Sequence, residues 1–407
     1  MQHAFASVRM RPIARGKPRV ALFSGNYNCI ADGANQALNR LVAFLERNGF
    51  AVRVYSPVVP RPAFEPAGEL VGVQSIPFPG RGEYRLALGL PPATRRDLDA
   101  FAPDIVHVSA PDPLGRAAQR YAAERGLPIV ASLHTRFETY FEFYGLGFVR
   151  RGIERYLQRF YRRCDLVLAP NRPLAEMLAG DGVDPARIAI WSRGVDRAKF
   201  DPARRSPAWR AAHGIAEDEL AVLFFGRLVR EKGIADFAAA FARAALPRAR
   251  AVVIGEGPAR AEFARSLPGA VFAGHLSGEA LGEAVASADV LLNPSATEAF
   301  GNVNLEAMAA GLAVISADAP SSRALLEPGR TGLLVAPGDV AGYAAALGLL
   351  AGDPLLRTRL GRAAREESAH YAWDAALGEV ARAYLALMPL RAKEFAAAPR
   401  WRRRLSA

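Results

Sequence analysis

The organisation of this 407-residue chain follows from one stretch, Thr297-Glu-Ala-Phe-Gly-Asn-Val-Asn-Leu-Glu-Ala-Met-Ala-Ala-Gly311. Its two carboxylates, Glu298 and Glu306, have seven residues between them, and a glycine turn between them opens a predicted helix. Apolar strands are predicted before the stretch, over 288–295, and after it, over 312–316. The stretch therefore lies at a strand-to-helix junction of a βαβ unit.

A helix start of this kind attracts anions, because its first backbone N–H groups lack partners and the helix dipole adds about half a positive charge. Ligands of open parallel sheets bind at these carboxyl ends of the strands. A carboxylate would repel phosphate, so Glu298 and Glu306 are better suited to accept hydrogen bonds from hydroxyl groups. The stretch predicts a site for a ligand that carries sugar or ribose hydroxyls.

Two cations and further glycines occur earlier in the same half of the chain. Gly226-Arg-Leu-Val-Arg-Glu-Lys-Gly233 follows a predicted strand and places Arg227 and Lys232 at the strand end. Two cations there can neutralise a diphosphate. After the next strand comes the turn Gly255-Glu-Gly-Pro258, whose glycines would suit either a nucleotide or a plain turn.

These motifs resemble those of retaining glycosyltransferases of the GT-B fold, and of glycosyltransferase family 4 in particular. Glu298 and Glu306 match the E-x7-E motif of that family. The segment 226–233 is similar to its donor-diphosphate motif, and 255–258 is similar to its G-x-G-P turn. The resemblance extends from about Val20 to the C-terminal helix.

A subgroup of the family is closer still. Arg193-Gly-Val-Asp196 and the segment 298–303 resemble most closely the enzymes that make mannosylated, glucuronosylated or sulfoquinovosylated lipids. Ala299 departs from that subgroup, which often has Thr at this position. The resemblance therefore leaves the identity of the transferred sugar open.

The resemblance implies an α/β protein of the GT-B fold, with two Rossmann-like domains and the active site in the cleft between them. It implies transfer of a hexose from a nucleotide diphosphate sugar to a hydroxyl acceptor, with retention of configuration. No metal and no cofactor are expected, since the GDP- or UDP-sugar is itself the donor substrate. The leaving phosphate would assist deprotonation of the acceptor, so no separate base is expected.

The resemblance also implies roles for individual residues. Arg227 and Lys232 would stabilise the diphosphate leaving group, Glu298 and the helix start would hold sugar and phosphate, and Glu306 would bind the ribose. The expected catalytic residues are His134, Arg227, Lys232 and Glu298. The expected donor-binding residues are Gly33, Gly226, Gly255, Gly257, Phe300, Gly301, Asn302, Val303 and Glu306.

Two candidate site segments follow strands in the first half of the chain. Asp32-Gly33 fits the D-G form of the family's first loop. His134 closes the predicted strand 128–132 and would hydrogen-bond a sugar hydroxyl, although a lone histidine there is more often structural. Aromatic side chains that would contact an apolar acceptor follow it, namely Tyr140, Phe141 and Tyr144.

The chain carries 52 Lys and Arg residues against 40 Asp and Glu, a formal net charge of +12. This charge favours a polyanionic partner, whether nucleic acid, an acidic membrane surface or an anionic substrate, and an incidental arginine-rich composition is an equal alternative. The predicted amphipathic helix 149–164 and the basic tail 391–407 suit a membrane surface. The apolar stripe of the helix is expected to pack on the sheet, which leaves its arginines as a cationic face for lipid headgroups. A disordered basic tail is the alternative for residues 391–407.

We expect a nucleotide sugar donor, a lipid acceptor and an anionic membrane as partners. We expect no nucleic acid, because no nucleic-acid-binding module is recognisable. No run reaches the ~18 apolar residues of a membrane span, and the N-terminus lacks the apolar core of a signal peptide. These patterns favour a cytoplasmic protein that is peripheral on the inner face of the cell membrane. Cys29 and Cys164 are expected to be reduced.

Strands that alternate with helices predict two parallel sheets. The strands are predicted over 18–23, 51–55, 105–108, 128–132 and 166–169, and again over 221–225, 251–254, 271–273, 290–292 and 314–316. We predict an acceptor-side domain over 1–195 and a nucleotide-sugar-binding domain over 196–371. Residues 372–407 would form a helix that crosses back to the first domain, followed by the basic tail.

Two other functions stay open at this point. The chain could transfer sugar to a soluble or polysaccharide acceptor, or it could be a non-catalytic nucleotide or nucleic-acid binder built on tandem Rossmann-like units. Asp97-Leu-Asp99 matches a D-x-D pattern that holds a metal in other glycosyltransferases, but it precedes a strand, so we interpret it as a solvated face. His107 is interpreted as a core residue.

Overall fold

The computed structural model describes residues 17–30, 32–78, 81–134 and 150–397. Strands and helices alternate along these ranges. The strands are β1 (Arg19–Phe23), β2 (Ala51–Ser56), β3 (Glu69–Gly72), β4 (Ser75–Phe78), β5 (Arg81–Ala87), β6 (Ile105–Val108), β7 (Ile129–Ser132), β8 (Leu166–Ala169), β9 (Ile188–Ile190), β10 (Leu220–Phe225), β11 (Ala249–Ile254), β12 (Val271–Gly274), β13 (Val290–Asn293), β14 (Ala313–Ala317) and β15 (Leu333–Val335).

The α-helices alternate with these strands. They are α1 (Gly33–Arg47), α2 (Pro92–Phe101), α3 (Pro113–Arg125), α4 (Arg150–Arg162), α5 (Arg172–Gly180), α6 (Pro207–Ala212), α7 (Ile234–Ala244), α8 (Arg260–Ser266), α9 (Gly278–Ala286), α10 (Asn302–Ala309), α11 (Pro320–Arg323), α12 (Val340–Gly352), α13 (Pro354–Ser368) and α14 (Trp373–Ala397). Short 3-10 helices cover Pro185–Arg187, Pro202–Arg204 and Arg230–Lys232.

Two larger sheets and a hairpin organise the described strands. The first sheet has the order β3-β2-β1-β6-β7-β8-β9, and the second has the order β12-β11-β10-β13-β14-β15. β10 pairs in parallel with β11 and β13, as β1 does with β2 and β6. Counted within its own sheet, the second order is that of doubly wound nucleotide-binding folds. The predicted α/β class with two Rossmann-like halves is confirmed.

The ten predicted strands are all present, within about two residues of their predicted ends. The sequence does not predict β3, β9 and β15, which lie at the edges of their sheets. β9 and β15 have only 3 residues each and β3 has 4, and segments this short show too little periodicity to be recognised as strands. The antiparallel hairpin of β4 and β5 is also missed, since its strands mix polar and apolar residues.

Contacts between Cα atoms divide the chain into two compact units. The first comprises residues 1–130 and 384–407, and the second comprises residues 131–383. α14 contributes residues to both. The domain boundaries predicted at 195/196 and 371/372 remain predictions.

The second unit has a core on each face of its sheet. Alternate residues of β10 belong to different cores: Ala221, Leu223 and Phe225 to one, and Leu220, Val222 and Phe224 to the other. Side chains of a strand point alternately to opposite faces, so a strand that is covered on both sides is apolar throughout. This explains why the sequence of β10 predicts a strand without polar alternation.

The first unit is built on β1, whose residues from Val20 to Phe23 are at most 1% exposed. α1 packs its apolar residues Leu38, Leu41, Val42 and Leu45 into the core. Asp32 caps α1, because its side chain accepts a 2.8 Å hydrogen bond from the N–H group of Asn35. His107 is completely buried in β6, which confirms its interpretation as a core residue.

Several predicted features lie outside the described residues. They include the aromatic residues Tyr140, Phe141 and Tyr144 and the end of the basic tail, residues 398–407. Among the described helices, none combines the length and the apolar character that crossing a membrane requires. Cys29 and Cys164 are free cysteines, and Cys164 is buried.

Candidate active site

Helix α10 begins at a glycine turn between β13 and β14, as the E-x7-E stretch predicts. Gly301 precedes the helix with φ of +92°, in the left-handed region that favours glycine. The first-turn N–H groups of an α-helix have no intrahelical acceptor. α10 therefore presents hydrogen-bond donors at the carboxyl end of β13, where an anion can bind.

The predicted catalytic residues Lys232 and Glu298 are in direct contact. Lys232 Nζ donates a hydrogen bond to Glu298 Oε1. The two side chains are 24% and 17% exposed, so the ion pair is largely withdrawn from water. Lys232 ends a 3-10 helix after β10, and Glu298 lies in the loop between β13 and α10.

Hydrogen bonds from side chains of one loop to the backbone of the other hold the two loops together. Thr297 Oγ1 and Ser295 Oγ both donate to the carbonyl oxygen of Glu231, at 3.3 and 3.5 Å. A Cβ atom on Gly233 would lie 2.9 Å from Pro294. The spacing between cation and carboxylate is therefore fixed by their neighbours in sequence as well as by the ion pair.

Three of the predicted donor-binding glycines lie where the loops after β10 and β11 meet. A Cβ atom on Gly255 would lie 1.9 Å from the carbonyl oxygen of Gly226, and one on Gly257 would lie 2.3 Å from that of Leu228. The Cβ position of Gly226 is 3.8 Å from a methyl group of Val303 in α10. The contact between the loops is itself sufficient reason for glycine at 255 and 257.

The remaining donor-site candidates of the second unit lie on the same elements. Arg227 follows β10 and is half-buried, as are Asn302, Val303 and Glu306 on α10. Phe300 is 6% exposed, and its ring lies 6.2 Å from that of Tyr371. Phe300 packs in the core, so it can offer a ligand only its backbone.

A buried polar network that the sequence analysis missed supports α10. Asn304 Oδ1 accepts a 2.8 Å hydrogen bond from Asn293, and Asn304 Nδ2 donates to Ser316 Oγ at 3.0 Å. Ser316 and Ser322 hydroxyls are 2.9 Å apart. Because these groups are buried, each needs a partner. The signal in the sequence is an Asn or Ser inside an otherwise apolar strand or helix.

Asn171 is a second residue that the sequence analysis missed. Its side chain caps α5, accepting from the N–H group of Leu174 at 3.1 Å, and its Nδ2 donates to the carbonyl oxygen of Ala299 at 2.7 Å. This bond anchors the residue after Glu298. The helix cap could be inferred from the sequence, because an asparagine precedes Arg172-Pro173. The hydrogen bond to Ala299 could not be inferred, because the two residues are distant in sequence.

His134 follows β7 and is half-buried. Its Nε2 lies 2.7 Å from Ser132 Oγ, and its Nδ1 lies 2.7 Å from a terminal guanidinium nitrogen of Arg193. The ring meets that of Trp191 edge to face, with centroids 5.1 Å apart. The structure thus gives the predicted histidine well-defined partners at both ring nitrogens.

In the first unit, Gly33 is the first residue of α1, directly after the cap Asp32. Nearby in sequence, Gly25 has a different reason to be glycine, because its Cβ would lie 2.6 Å from Asp112 Oδ2. Burial raises the pKa of Asp112 to about 6, although a hydrogen bond from the Gly115 N–H group opposes the shift.

The D-x-D pattern is engaged in hydrogen bonds within the first unit. Asp97 accepts from Arg53 at 3.0 Å and from the Tyr55 hydroxyl at 2.9 Å. Asp99 accepts from the Tyr121 hydroxyl at 2.9 Å and from Arg125. These carboxylates are therefore structural rather than merely solvated. In the part of the chain that the structure describes, no cluster of three His, Cys, Asp or Glu residues could hold a metal.

The sequence matches two family profiles, Glycosyltransferase Family 4 over residues 31–199 and Glycosyl transferases group 1 over residues 205–367. It is 34% identical over 377 residues to a GDP-mannose-dependent alpha-mannosyltransferase of Mycolicibacterium smegmatis, covering 91% of this chain and 98% of that protein. It is 32% identical over 379 residues to the sulfoquinovosyl transferase SQD2 of Arabidopsis thaliana, covering 91% and 74%.

Solved structures share the fold. A sucrose-phosphate synthase from Thermosynechococcus elongatus superposes with a TM-score of 0.76 at 22% identity, over 92% of this chain and 100% of that one. Anabaena HepE in complex with UDP and glucose gives 0.71 at 18% identity, over 91% and 100%. These structures have the GT-B fold. Because the two family profiles together cover most of the chain and relatives 32% and 34% identical align over 91% of it, the chain belongs to glycosyltransferase family 4 and is a glycosyltransferase.

Proposed function

We propose that the protein is a retaining glycosyltransferase that moves a hexose from a GDP- or UDP-sugar to a hydroxyl group of a membrane lipid. The observation that carries this proposal is the contact of Lys232 with Glu298 beside the start of α10. It brings a cation for a diphosphate, a carboxylate for sugar hydroxyls and a set of free helix N–H groups to one end of the second sheet.

In this proposal the cationic residues contact the diphosphate, and the carboxylates contact the hydroxyl groups. Lys232 and Arg227 stabilise the negative charge that develops on the diphosphate as the bond to the sugar carbon breaks. Glu298 accepts hydrogen bonds from the sugar hydroxyls, and Glu306 accepts them from the ribose. The acceptor oxygen bonds to the sugar carbon on the face that the phosphate leaves, and its proton passes to a phosphate oxygen. Configuration is retained, and the two cations supply the charge that a metal supplies elsewhere.

The names of the relatives narrow the donors worth testing. One relative is a GDP-mannose-dependent mannosyltransferase and another is a sulfoquinovosyl transferase. We therefore infer a hexose donor of one of these two kinds. In this proposal the sugar meets Glu298 and backbone groups, which do not distinguish one hexose from another, so a direct assay has to identify the sugar.

The membrane part of the proposal rests on an arginine stripe, which we define as Arg151, Arg155, Arg159 and Arg163. The residues are spaced four apart along α4 and the turn after it, and all four are exposed. None of them pairs with an acidic side chain of the described residues. Like charges at this spacing destabilise a helix by about 0.2–0.5 kcal/mol per pair. An anionic surface would offset that repulsion.

Vesicle sedimentation tests the arginine stripe. Each arginine near an anionic bilayer contributes about 1 kcal/mol, so Arg151→Gln, Arg155→Gln and Arg159→Gln together should weaken binding about a hundredfold at low salt. A matched control replaces Arg172, Arg362 and Arg382, which are ion-paired on other helices, with Gln. The control removes the same charge and should bind like the unmodified protein. If the unmodified protein does not sediment with anionic vesicles, the result favours a soluble or polysaccharide acceptor over a membrane lipid.

A transfer assay tests the reaction itself. The protein is incubated with GDP-mannose or UDP-hexoses and lipid vesicles, and the anomeric configuration of the product is read by NMR. Lys232→Ala and Glu298→Ala should each lower kcat/KM at least a hundredfold, in the range of losses seen for groups that stabilise developing charge. Arg230→Ala is the control, because Arg230 pairs with Glu262 at the surface. A product of inverted configuration would rule out the retaining mechanism. Nucleotide binding without any transfer would support a non-catalytic binder.

A further inference from the structure

The imidazole ring of His134 is contacted on three sides within its own unit. Ser132 Oγ lies 2.7 Å from Nε2, and Arg193 lies 2.7 Å from Nδ1. The Trp191 ring packs against it at an interplanar angle of 76°. Both ring nitrogens therefore have hydrogen-bond partners before any substrate arrives.

The direction of these hydrogen bonds follows from the chemistry of arginine. A guanidinium group only donates, so His134 Nδ1 must accept and carries no proton. The proton of the neutral ring is then on Nε2, and Nε2–H donates to Ser132 Oγ. A second proton on the ring would place two cations side by side without a hydrogen bond between them. The geometry thus selects one tautomer and excludes the imidazolium.

Arg193 is itself rigid enough to impose this choice. It is 3% exposed, donates to the carbonyl oxygen of Trp191 at 3.2 Å, and its guanidinium lies 4.7 Å from the centre of the Trp191 ring. Burial lowers the pKa of Arg193 to about 10, which still leaves it protonated at neutral pH. A Cβ atom on Gly194 would lie 2.3 Å from the backbone nitrogen of Trp373, so the following backbone is also tightly packed.

We propose that Arg193 is a positioning residue that fixes His134 as the neutral Nε2–H tautomer, so that His134 offers a hydrogen-bond donor to an oxygen of the transferred sugar. This rests on the proposed function, together with the sequence-based expectation that His134 hydrogen-bonds a hydroxyl of the sugar. In the complex the ligand oxygen accepts the hydrogen bond from Nε2–H, either in place of Ser132 Oγ or together with it. A consequence is that His134 Nδ1 cannot serve as a base while Arg193 occupies it.

NMR of the ring nitrogens tests the tautomer in the free protein. The protein is labelled with 15N-histidine, and His134→Gln identifies the signal of His134. We expect a proton on Nε2 and none on Nδ1 at neutral pH. Arg193→Met, which keeps an unbranched apolar stem but cannot donate, should give a mixture of tautomers. Arg193→Lys, which still donates, should restore the single tautomer. A proton on Nδ1 in the unmodified protein would overturn the proposal.

Steady-state kinetics test the consequence for the substrate. Arg193→Met should lower kcat/KM for the sugar donor about ten- to a hundredfold, the range found for residues that orient a metal-binding histidine. Its affinity for the nucleoside diphosphate alone should not change, because other residues bind that part. Arg193→Lys should recover most of the activity. Unchanged kinetics in an Arg193→Met protein with mixed tautomers would contradict the positioning role.

The two measurements separate this proposal from the proposed function. If the unmodified protein shows the expected tautomer but transfers no sugar from any donor, the proposed function fails while the tautomer assignment stands. If it transfers sugar with the wrong tautomer, the positioning role fails alone. The decisive spectrum is that of the unmodified protein, so it does not depend on whether Arg193→Met folds.

Discussion

Asn171 Nδ2 donates a 2.7 Å hydrogen bond to the carbonyl oxygen of Ala299, a residue 128 positions further along the chain. Both groups are buried, and Ala299 directly follows Glu298, the carboxylate of the candidate donor site. The oxygen of Asn171 at the same time caps α5. One side chain therefore connects a helix start to the loop that positions Glu298.

The two roles of Asn171 can be separated by substitution. Asn171→Ser keeps a good helix cap but is too short to reach Ala299, while Asn171→Ala loses both. We expect Asn171→Ala to lower the free energy of unfolding by about 1–2 kcal/mol more than Asn171→Ser. Both should raise the donor KM, because both release the backbone directly after Glu298. Equal stability of the two variants in urea titrations would disprove the capping role.

The network around Asn304 should be sensitive to truncation. Asn304→Ala removes the acceptor of the buried Asn293 Nδ2 group and one of the hydrogen-bond partners of Ser316, and we expect a loss of about 2–3 kcal/mol of unfolding free energy. Ser322→Ala is the comparison, because it removes a member at the edge of the network: a 3.4 Å bond to Asn304 and the 2.9 Å bond to Ser316, with an expected loss of about 1 kcal/mol. Denaturant unfolding measures both. A larger effect at Ser322 would show that Asn304 is not the centre of the network.

Gly255 should not tolerate a side chain. In Gly255→Ala the new Cβ would overlap the carbonyl oxygen of Gly226, and its φ of +135° is strained for alanine. We expect a loss of more than about 2 kcal/mol in unfolding free energy, together with weaker nucleotide binding. Gly269→Ala is the control, since Gly269 also has positive φ but open space around it, and about 1 kcal/mol is expected there. Similar losses at both positions would mean that the contact with Gly226 is unimportant.

The free energy of unfolding should depend on pH through His107. Burial lowers its pKa from 6.5 to about 3, and Tyr384 contacts it through its hydroxyl. Between these values the unfolded chain binds a proton and the folded chain does not, so stability falls as pH falls, at up to about 1.4 kcal/mol per pH unit. Above pH 6.5 the residue contributes no pH dependence.

A double variant isolates this effect. His107→Leu with Tyr384→Phe removes the titrating group and its hydroxyl partner together. Between pH 7 and pH 4.5 the unmodified protein should lose about 2–3 kcal/mol more than the variant. Chemical denaturation at the two pH values gives the comparison. Parallel losses in the two proteins would show that His107 is already protonated in the fold.

The sequence predicts those features that local patterns encode. The apolar run of β10 and the glycine before α10 each specify an element, and the charges of Lys232 and Glu298 specify a ligand chemistry. It does not predict which distant residues touch. The bonds from Asn171 to Ala299 and from Arg193 to His134 depend on how strands are ordered in the sheets. Edge strands such as β15 are also missed, because 3 residues are too few to show the period of a strand.

The most direct test of the account is calorimetric titration of the protein with a nucleoside diphosphate and with the matching nucleotide sugar. Lys232→Ala should weaken both by at least tenfold, because it removes the cation that binds the diphosphate. Glu298→Gln should remove only the extra affinity of the sugar conjugate, and Arg230→Ala, whose side chain pairs with Glu262, should change neither. Binding that is unaffected by Lys232→Ala and Glu298→Gln in folded protein would contradict the assignment of this ion pair to the donor site.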